Sequence, residues 1–223
     1  MGKKAIVFGA TGLVGSHLVD LLASDDRYSE ILVFVRRRYV QPSPKIKTIL
    51  ADFSIPHSFA GDVKGDEVFC CLGTTMRQSQ QSHTAFRSVD IDLAVKIAET
   101  AHHNGIPSFI VISSIGASAR SRNFYLRTKG KMELKVKKFA FKTLVIVRPS
   151  LLLGKRTEKR MAEKAGQILN HLLGFALFGK WKKYKAIHAS TLACAMIDLA
   201  NTSQGNVIAE NDLLLTYRNK KNQ

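Results

Sequence analysis

A doubly wound α/β fold, a parallel sheet covered by helices on both faces, is predicted by three observations on this sequence. Short apolar runs alternate with helix-period segments over the first two thirds of the chain. The first run, Ala5-Ile6-Val7-Phe8, enters a glycine-rich turn, Gly9-Ala10-Thr11-Gly12-Leu13-Val14-Gly15. That turn passes directly into Ser16 to Leu22, whose apolar spacing suits a helix.

The remaining elements follow in order. Ile31 to Val35, Ile46 to Leu50 and Glu67 to Leu72 read as strands. A long helix is predicted over Thr84 to His103, stopped by Asn104-Gly105-Ile106-Pro107. Phe109 to Ser113 is the next strand, Phe124 to Phe139 a helix, and Thr143 to Arg148 a sixth strand. Beyond Pro149 the alternation weakens into a basic helix near 158–173, an apolar helix near 190–201 and a short strand at Val207-Ile208. At 223 residues, without repeats or an evident linker, the expectation is one domain over 1–223.

Composition narrows the class. A hydrophobic content of 45% with 8% aromatics excludes a disordered chain. Cys70, Cys71 and Cys194 lack CxxC or metal-ligand spacing, so buried thiols in a reducing cytoplasm are expected, with no metal. Lys3-Lys4 leads into a strand and not into a signal peptide, and Met1-Gly2 lacks the Ser or Thr that a myristoylation signal wants, Ile6 standing there instead. Ile168 to Phe178, interrupted by Asn170 and His171, is too short to span a bilayer. The expected location is cytoplasmic.

Charge is less ordinary: 34 Lys plus Arg against 17 Asp plus Glu leave a net +17. Such an excess attracts polyanions, anionic membranes and phosphorylated ligands. The basic residues are scattered over several elements without a nucleic-acid motif, so a solvated basic surface is preferred over nucleic acid or a membrane as partner. Dinucleotide binding does not require this much charge.

The glycine turn supplies the first functional reading. Between a strand and a helix, Gly9 permits the tight turn, Gly12 lets backbone approach a pyrophosphate, and Gly15 lets helix pack on strand. Amides at the helix start attract the anion, so Thr11, Leu13 and Val14 join the binding set. The spacing is GxxGxxG, and a structural loop is the plain alternative. Arg36 and Arg37 end the second strand, Arg36 lying 21 residues past Gly15, where a dinucleotide fold places an acid for NAD or an arginine for the extra phosphate of NADP. No carboxylate stands there, and arginine grips phosphate with two parallel bonds, so NADP is favoured over NAD. Asp52-Phe53 after the third strand suits an adenine, with a helix N-cap an equal reading for Asp52. Leu72-Gly73-Thr74 ends the fourth strand at the same edge, where a simple turn is the alternative.

The second functional reading is chemical. Tyr125 and Lys129 stand four apart on one helix face. A phenol gives up its proton poorly at neutral pH, and a neighbouring cation favours the phenolate, which suits general acid–base work. Ser114, at the end of the fifth strand, is placed to hydrogen-bond a substrate oxygen. Such a pair alone is most often a surface helix face.

Taken together and in this order, GATGLVG, SSIGA and YLRTK resemble the short-chain dehydrogenase/reductase superfamily. CLGTT, FRSVDIDLAVKIAE, YLRTKGKMELKV and VIVRPSLLLGKR resemble its atypical Tat-interacting-protein group and bacterial relatives, well over residues 4–155 and loosely beyond. The resemblance implies a Rossmann-type NADPH-binding domain with a small helical C-terminal part. It implies Tyr125 as the acid–base, Lys129 as its support and as a cofactor ligand, and Ser114 as the group orienting the carbonyl. It implies further that Arg148-Pro149-Ser150 is the segment passing the nicotinamide, with Pro149 and Ser150 in the binding set. Residues 150–223 would supply the substrate-side lid, with Lys155 to Lys185 the candidate segment and an interfacial helix flanked by Trp181 and its lysines the alternative. His188 reads as structural and Arg218 to Gln223 as a frayed tail. Where many members carry an asparagine after the fourth strand, this chain has Asp90 and Asp92. The expected function is an NADPH-dependent reductase of a small carbonyl compound. The alternative is an NADPH-binding regulatory protein that controls a protein partner with little or no turnover.

Overall fold

Strand β1 (Lys3–Phe8) takes the middle of the sheet because both of its faces are apolar: Ala5 and Val7 enter one core, Ile6 and Phe8 the other. The computed structural model describes residues 2–39, 43–55, 58–73, 88–154 and 183–217, with the backbone alone for 88–90. After β1 come α1 (Leu13–Ala23), β2 (Tyr28–Val35), β3 (Ile46–Leu50) and β4 (Glu67–Cys70). A π-helical segment, Ser88–Leu93, leads into α2 (Ala94–His103), followed by β5 (Ser108–Ile112), α3 (Phe124–Val136) and β6 (Thr143–Arg148). Then come β7 (Leu152–Leu153), β8 (Ile187–His188), α4 (Ala189–Thr202), β9 (Gly205–Glu210) and α5 (Asn211–Leu214).

The seven-stranded sheet runs β3-β2-β1-β4-β5-β6-β9, and every neighbouring pair is parallel. Strand order reverses between β1 and β4, so the carboxyl ends of these two strands open the crevice where such sheets bind ligands. Two apolar cores fill the two faces. Leu18, Leu22, Leu192 and Met196 of α1 and α4 cover one face; Ile97, Ala101, Met132 and Val136 of α2 and α3 cover the other. This is the doubly wound architecture that the alternation of strands and helices predicts.

Boundaries differ in instructive places. The helix predicted to run to Phe139 ends at Val136, because Phe139 and Phe141 turn in against the end of α2 and against β5. Their rings lie 5.8 and 5.7 Å from that of His102, and Phe141 stacks on Phe109 at 5.1 Å. The short strand expected at Val207-Ile208 is a six-residue partner of β6 along its whole length. The helix expected from Thr84 is observed from Ser88, first as a wide π turn; residues 84–87 lie outside the described residues, as does the basic helix near 158–173 and the tail from Arg218. No described helix is long and apolar enough to cross a membrane.

Candidate cofactor and active site

The β1–α1 turn is shaped by contacts that only glycine allows. Gly9 has φ +85°, and a Cβ there would lie 2.7 Å from the carbonyl oxygen of Cys71 at the end of β4. A Cβ on Gly15 would overlap the Gly9 carbonyl, so the first turn of α1 lies directly on the end of β1. Gly12 N–H donates to the Gly9 oxygen at 2.9 Å, and Ser16 N–H donates to Gly12 at 3.1 Å. Gly12 is the N-cap, no side chain caps the helix, and no acid stands in its first turn. Thr11 is exposed, Gly12 and Leu13 half-buried, Val14 and Gly15 buried. An uncapped, close-approached helix start beside the strand-order reversal fits a dinucleotide diphosphate.

Around this turn the carboxyl edge gathers the other predicted residues. Cys71 N–H donates to the Phe8 carbonyl at 2.9 Å, which sets Leu72 and the exposed Gly73 beside the turn. Thr74 lies outside the described residues. Arg36 and Arg37 are exposed immediately after β2. Ala51 N–H donates to Val35 at 2.9 Å and thereby holds Asp52-Phe53 near that arginine pair. Asp52 Oδ1 accepts from Ser54 N–H at 2.9 Å and Ser54 Oγ at 2.6 Å; these bonds lower the carboxyl below its ordinary range and make a local turn. The Phe53 ring meets Phe8 at 6.0 Å and Phe59 at 5.6 Å.

The second half of the edge is built on α3. Asn123 caps it, its Oδ1 accepting from Leu126 N–H at 3.1 Å, which places Tyr125 in the first turn. Arg127 Nη1 donates to the carbonyls of Ser121 and Arg122, both at 2.9 Å, and ties the preceding loop to the helix. A Cβ on Gly130 would overlap the backbone of Ser118 and Ala119, so glycine here lets the loop after β5 lie on α3. Lys129 is 3% exposed, and its Nζ donates to the Ile112 carbonyl at 3.3 Å. Tyr125 and Ser114 are half-buried; Ser114 Oγ reaches the Ile115 carbonyl at 3.4 Å. Helix α3 and the end of β5 thus bring Ser114, Tyr125 and Lys129 to one edge.

Pro149 and Ser150 follow β6. Ile115 N–H donates to the Pro149 carbonyl at 2.9 Å, joining the loops after β5 and β6. Ser150 Oγ donates to the Lys185 carbonyl at 2.5 Å, while Ser150 N–H and Lys185 O are also bridged by the fully buried Asn211 amide, at 3.0 and 2.8 Å. The Ser150 hydroxyl therefore fastens the segment before β8. His188 is exposed as the N-cap residue of α4, and Asp92 is exposed on the π segment; the Asp90 side chain lies outside the described residues.

One cluster behind this edge escaped sequence reasoning. Glu133, 3% exposed, accepts from Ser113 Oγ at 2.5 Å and from Arg148 Nε at 2.9 Å on Oε1, and from Arg148 Nη2 at 2.6 Å on Oε2. Arg148 also donates to Glu210 at 2.8 Å and to the Ala117 carbonyl at 3.3 Å. The Glu133 bonds hold the guanidinium still more firmly protonated than usual. Removing the part-buried arginine would leave the buried Glu133 carboxylate short of charge-assisted donors, at a cost of about 1.5–3 kcal/mol. A signal was present: Glu133 sits between Met132 and Val136 on the inward stripe of α3, where a lone charge needs a partner. Among the described residues no group of three or more His, Cys, Asp or Glu could hold a metal ion.

Comparison with known proteins settles the family. Residues 9–171 match the family described as NAD(P)H-binding. The chain belongs to it. Protein HTATIP2 of Rattus norvegicus is 30% identical over 219 residues, covering 96% of this chain and 88% of the relative. The mitochondrial protein FMP52 of Candida albicans is 32% identical over 204 residues, covering 88% of this chain and 87% of the relative. The chain is accordingly an atypical short-chain dehydrogenase/reductase that resembles HTATIP2, an NAD(P)-binding protein of the oxidoreductase type. Among solved structures, MoeE5 in complex with UDP-glucose and NAD superposes with a TM-score of 0.70 at 19% identity, over 93% of this chain and 75% of that one, a likeness of Rossmann fold.

One expectation is corrected here. The cytoplasmic location read from the cysteines and the N-terminus is overturned, because several FMP52 relatives are named mitochondrial. Free thiols and a strand-like first run do not distinguish one compartment from another.

Proposed function

We propose that this protein is an NADPH-dependent reductase of small carbonyl compounds that works with Ser114, Tyr125 and Lys129. The observation that carries the reading is Lys129, an ammonium 3% exposed and bonded to the Ile112 carbonyl, one helical turn from Tyr125 and beside the end of β5. Buried lysines are rare, and one pinned beside a phenol and a strand-end serine fits acid–base chemistry far better than packing.

The Gly9–Gly15 turn would hold the diphosphate of the cofactor, with Thr11, Gly12, Leu13 and Val14 supplying backbone. Arg36 and Arg37 would hold the 2′-phosphate, Asp52 and Phe53 would flank the adenine, and Leu72 and Gly73 would face the middle of the dinucleotide. Pro149 and Ser150 border the nicotinamide side. When bound, the nicotinamide supplies the two-electron reducing equivalent. Tyr125 then donates its proton to the substrate oxygen, Ser114 holds that oxygen, and Lys129 supports the phenol and a ribose hydroxyl. In this reading the chain is one NAD(P)-binding unit whose C-terminal part, 150–223, would supply the substrate side; of that part 155–182, with most of the expected lid and the lysines beside Trp181, and 218–223 lie outside the described residues. The three arginines that follow β2, Arg36 to Arg38, with no acid among them, support NADPH as the cofactor.

NADPH oxidation across a panel of aldehydes and ketones tests the reading. Turnover is expected, and Tyr125→Phe is expected to abolish it while leaving NADPH affinity nearly intact. Unchanged turnover in Tyr125→Phe would remove Tyr125 from the mechanism. A partner protein whose recovery depends on NADPH, with no turnover anywhere in the panel, would replace the reductase with a cofactor-sensing regulator.

A further inference from the structure

We propose that Glu133 and Arg148 are positioning residues that set the Ser114 loop against the Tyr125–Lys129 helix. This rests on the reductase reading for its kinetic arm and on geometry alone for its structural arm. The loop from Ser113 to Ala117 is clamped at both ends by the same ion pair. At one end Ser113 Oγ donates to Glu133 at 2.5 Å; at the other the Ala117 carbonyl accepts from Arg148 Nη2 at 3.3 Å. Both clamping groups are themselves locked together by the two Glu133–Arg148 bonds of 2.9 and 2.6 Å. Glu210, at the end of β9, accepts from the far side of the guanidinium at 2.8 Å.

The consequence for Ser114 is directional. Ser113 is 2% exposed, continues the ladder through a 2.8 Å bond from its N–H to Val147, and points its hydroxyl inward to Glu133. Adjacent side chains on extended backbone point to opposite sides, so anchoring Ser113 inward presents Ser114 outward at the sheet edge. Glu133 also lies one helical turn beyond Lys129, on the same inward stripe of α3. One carboxylate therefore fixes the serine loop and the tyrosine–lysine helix in a common frame. Mutual placement of reacting groups is where small displacements cost the most rate: about 1 Å can cost about 100-fold.

Two conservative variants test this. Glu133→Gln keeps the shape and loses the charge; Arg148→Lys keeps the charge and loses the planar fork. The first measurement is amide hydrogen exchange of residues 113–119 in the unliganded full chain, compared with the β1–α1 turn. The second is kcat, KM and NADPH affinity on the carbonyl panel. Both variants are expected to speed exchange in 113–119 while the β1–α1 turn is unchanged. They are expected to lower kcat about 10–100-fold with KM and NADPH affinity held within about twofold. Unchanged exchange in 113–119 would overturn the proposal, and so would losses shared equally between kcat, KM and NADPH binding. If the unaltered protein turns over nothing on the panel, the reductase reading fails alone, and the exchange measurement decides the clamp.

Discussion

The ammonium of Lys129 donates to the carbonyl oxygen of Ile112 at 3.3 Å from a position 3% exposed. This bond ties the helix bearing Tyr125 to the last residue of β5, so the phenol and the strand-end serine share one support. Lys129→Met keeps the bulk of the side chain and removes its charge. It is expected to lower kcat and to weaken NADPH binding together, each by about tenfold or more, because the proposed reading has the lysine serve both the phenol and the ribose. Steady-state kinetics beside NADPH titration check this. Loss of kcat alone would take Lys129 away from the cofactor.

Gly15 and Gly9 make the second test. A Cβ on Gly15 would overlap the Gly9 carbonyl, so Gly15→Ala forces α1 away from β1. The expected cost is about 1–3 kcal/mol of stability, with NADPH binding weakened at least tenfold or so. Gly61→Ala is the control, since nothing lies within 4 Å of that position. Thermal unfolding with and without NADPH reads both quantities, and a Gly15→Ala variant that binds as tightly as the Gly61→Ala control would contradict the diphosphate seat.

At the opposite end of the sheet, Tyr28 donates to Glu67 Oε2 at 2.6 Å and accepts from Asn201 Nδ2 at 2.7 Å. Burial first, and then the Glu67 carboxylate, push this phenol well above its ordinary range. A group whose folded pKa is raised stabilises fully below its unfolded value, near pH ~10, and loses that stabilisation as pH climbs further. The melting temperature of the unaltered chain should therefore fall more steeply above pH ~10 than that of Tyr28→Phe. At neutral pH the variant should be less stable by about 1–3 kcal/mol, because Glu67 loses a donor. Parallel alkaline profiles for the two proteins would refute the assignment.

What could be read from the sequence, and what could not, divides along locality. β1, the glycine turn, β3 and β6 are legible because each is a contiguous run whose neighbours carry the whole signal. The Tyr125–Lys129 pair is legible because a helix places residues four apart on one face. Glu133, Arg148 and Glu210 are not: they come from a helix and two strand ends, 15 and 62 residues apart, and meet only after the sheet has formed. Ser113 and Ser114 look alike in sequence; burial of the first against Glu133 is what separates them. β9 is underread because Gly205, Asn206 and Glu210 flank its apolar residues Val207 to Ala209, leaving a shorter run than the inner strands show. Ser150 reads from sequence only as a cofactor neighbour; that its hydroxyl donates to the Lys185 carbonyl, 35 residues away, is a contact made in the fold.

The central claim is that the crevice between β1 and β4 takes NADPH, with Arg36 reading its extra phosphate. Calorimetric titration with NADPH and NADH, on the unaltered protein and on Arg36→Ala, addresses it most directly. A charge-assisted guanidinium–phosphate contact is worth about 1.5–3 kcal/mol, or about 10–100-fold in affinity. The account predicts a preference for NADPH of that size, which Arg36→Ala erases while NADH affinity stays as it was. Tighter binding of NADH, or an NADPH preference that survives Arg36→Ala, would contradict it.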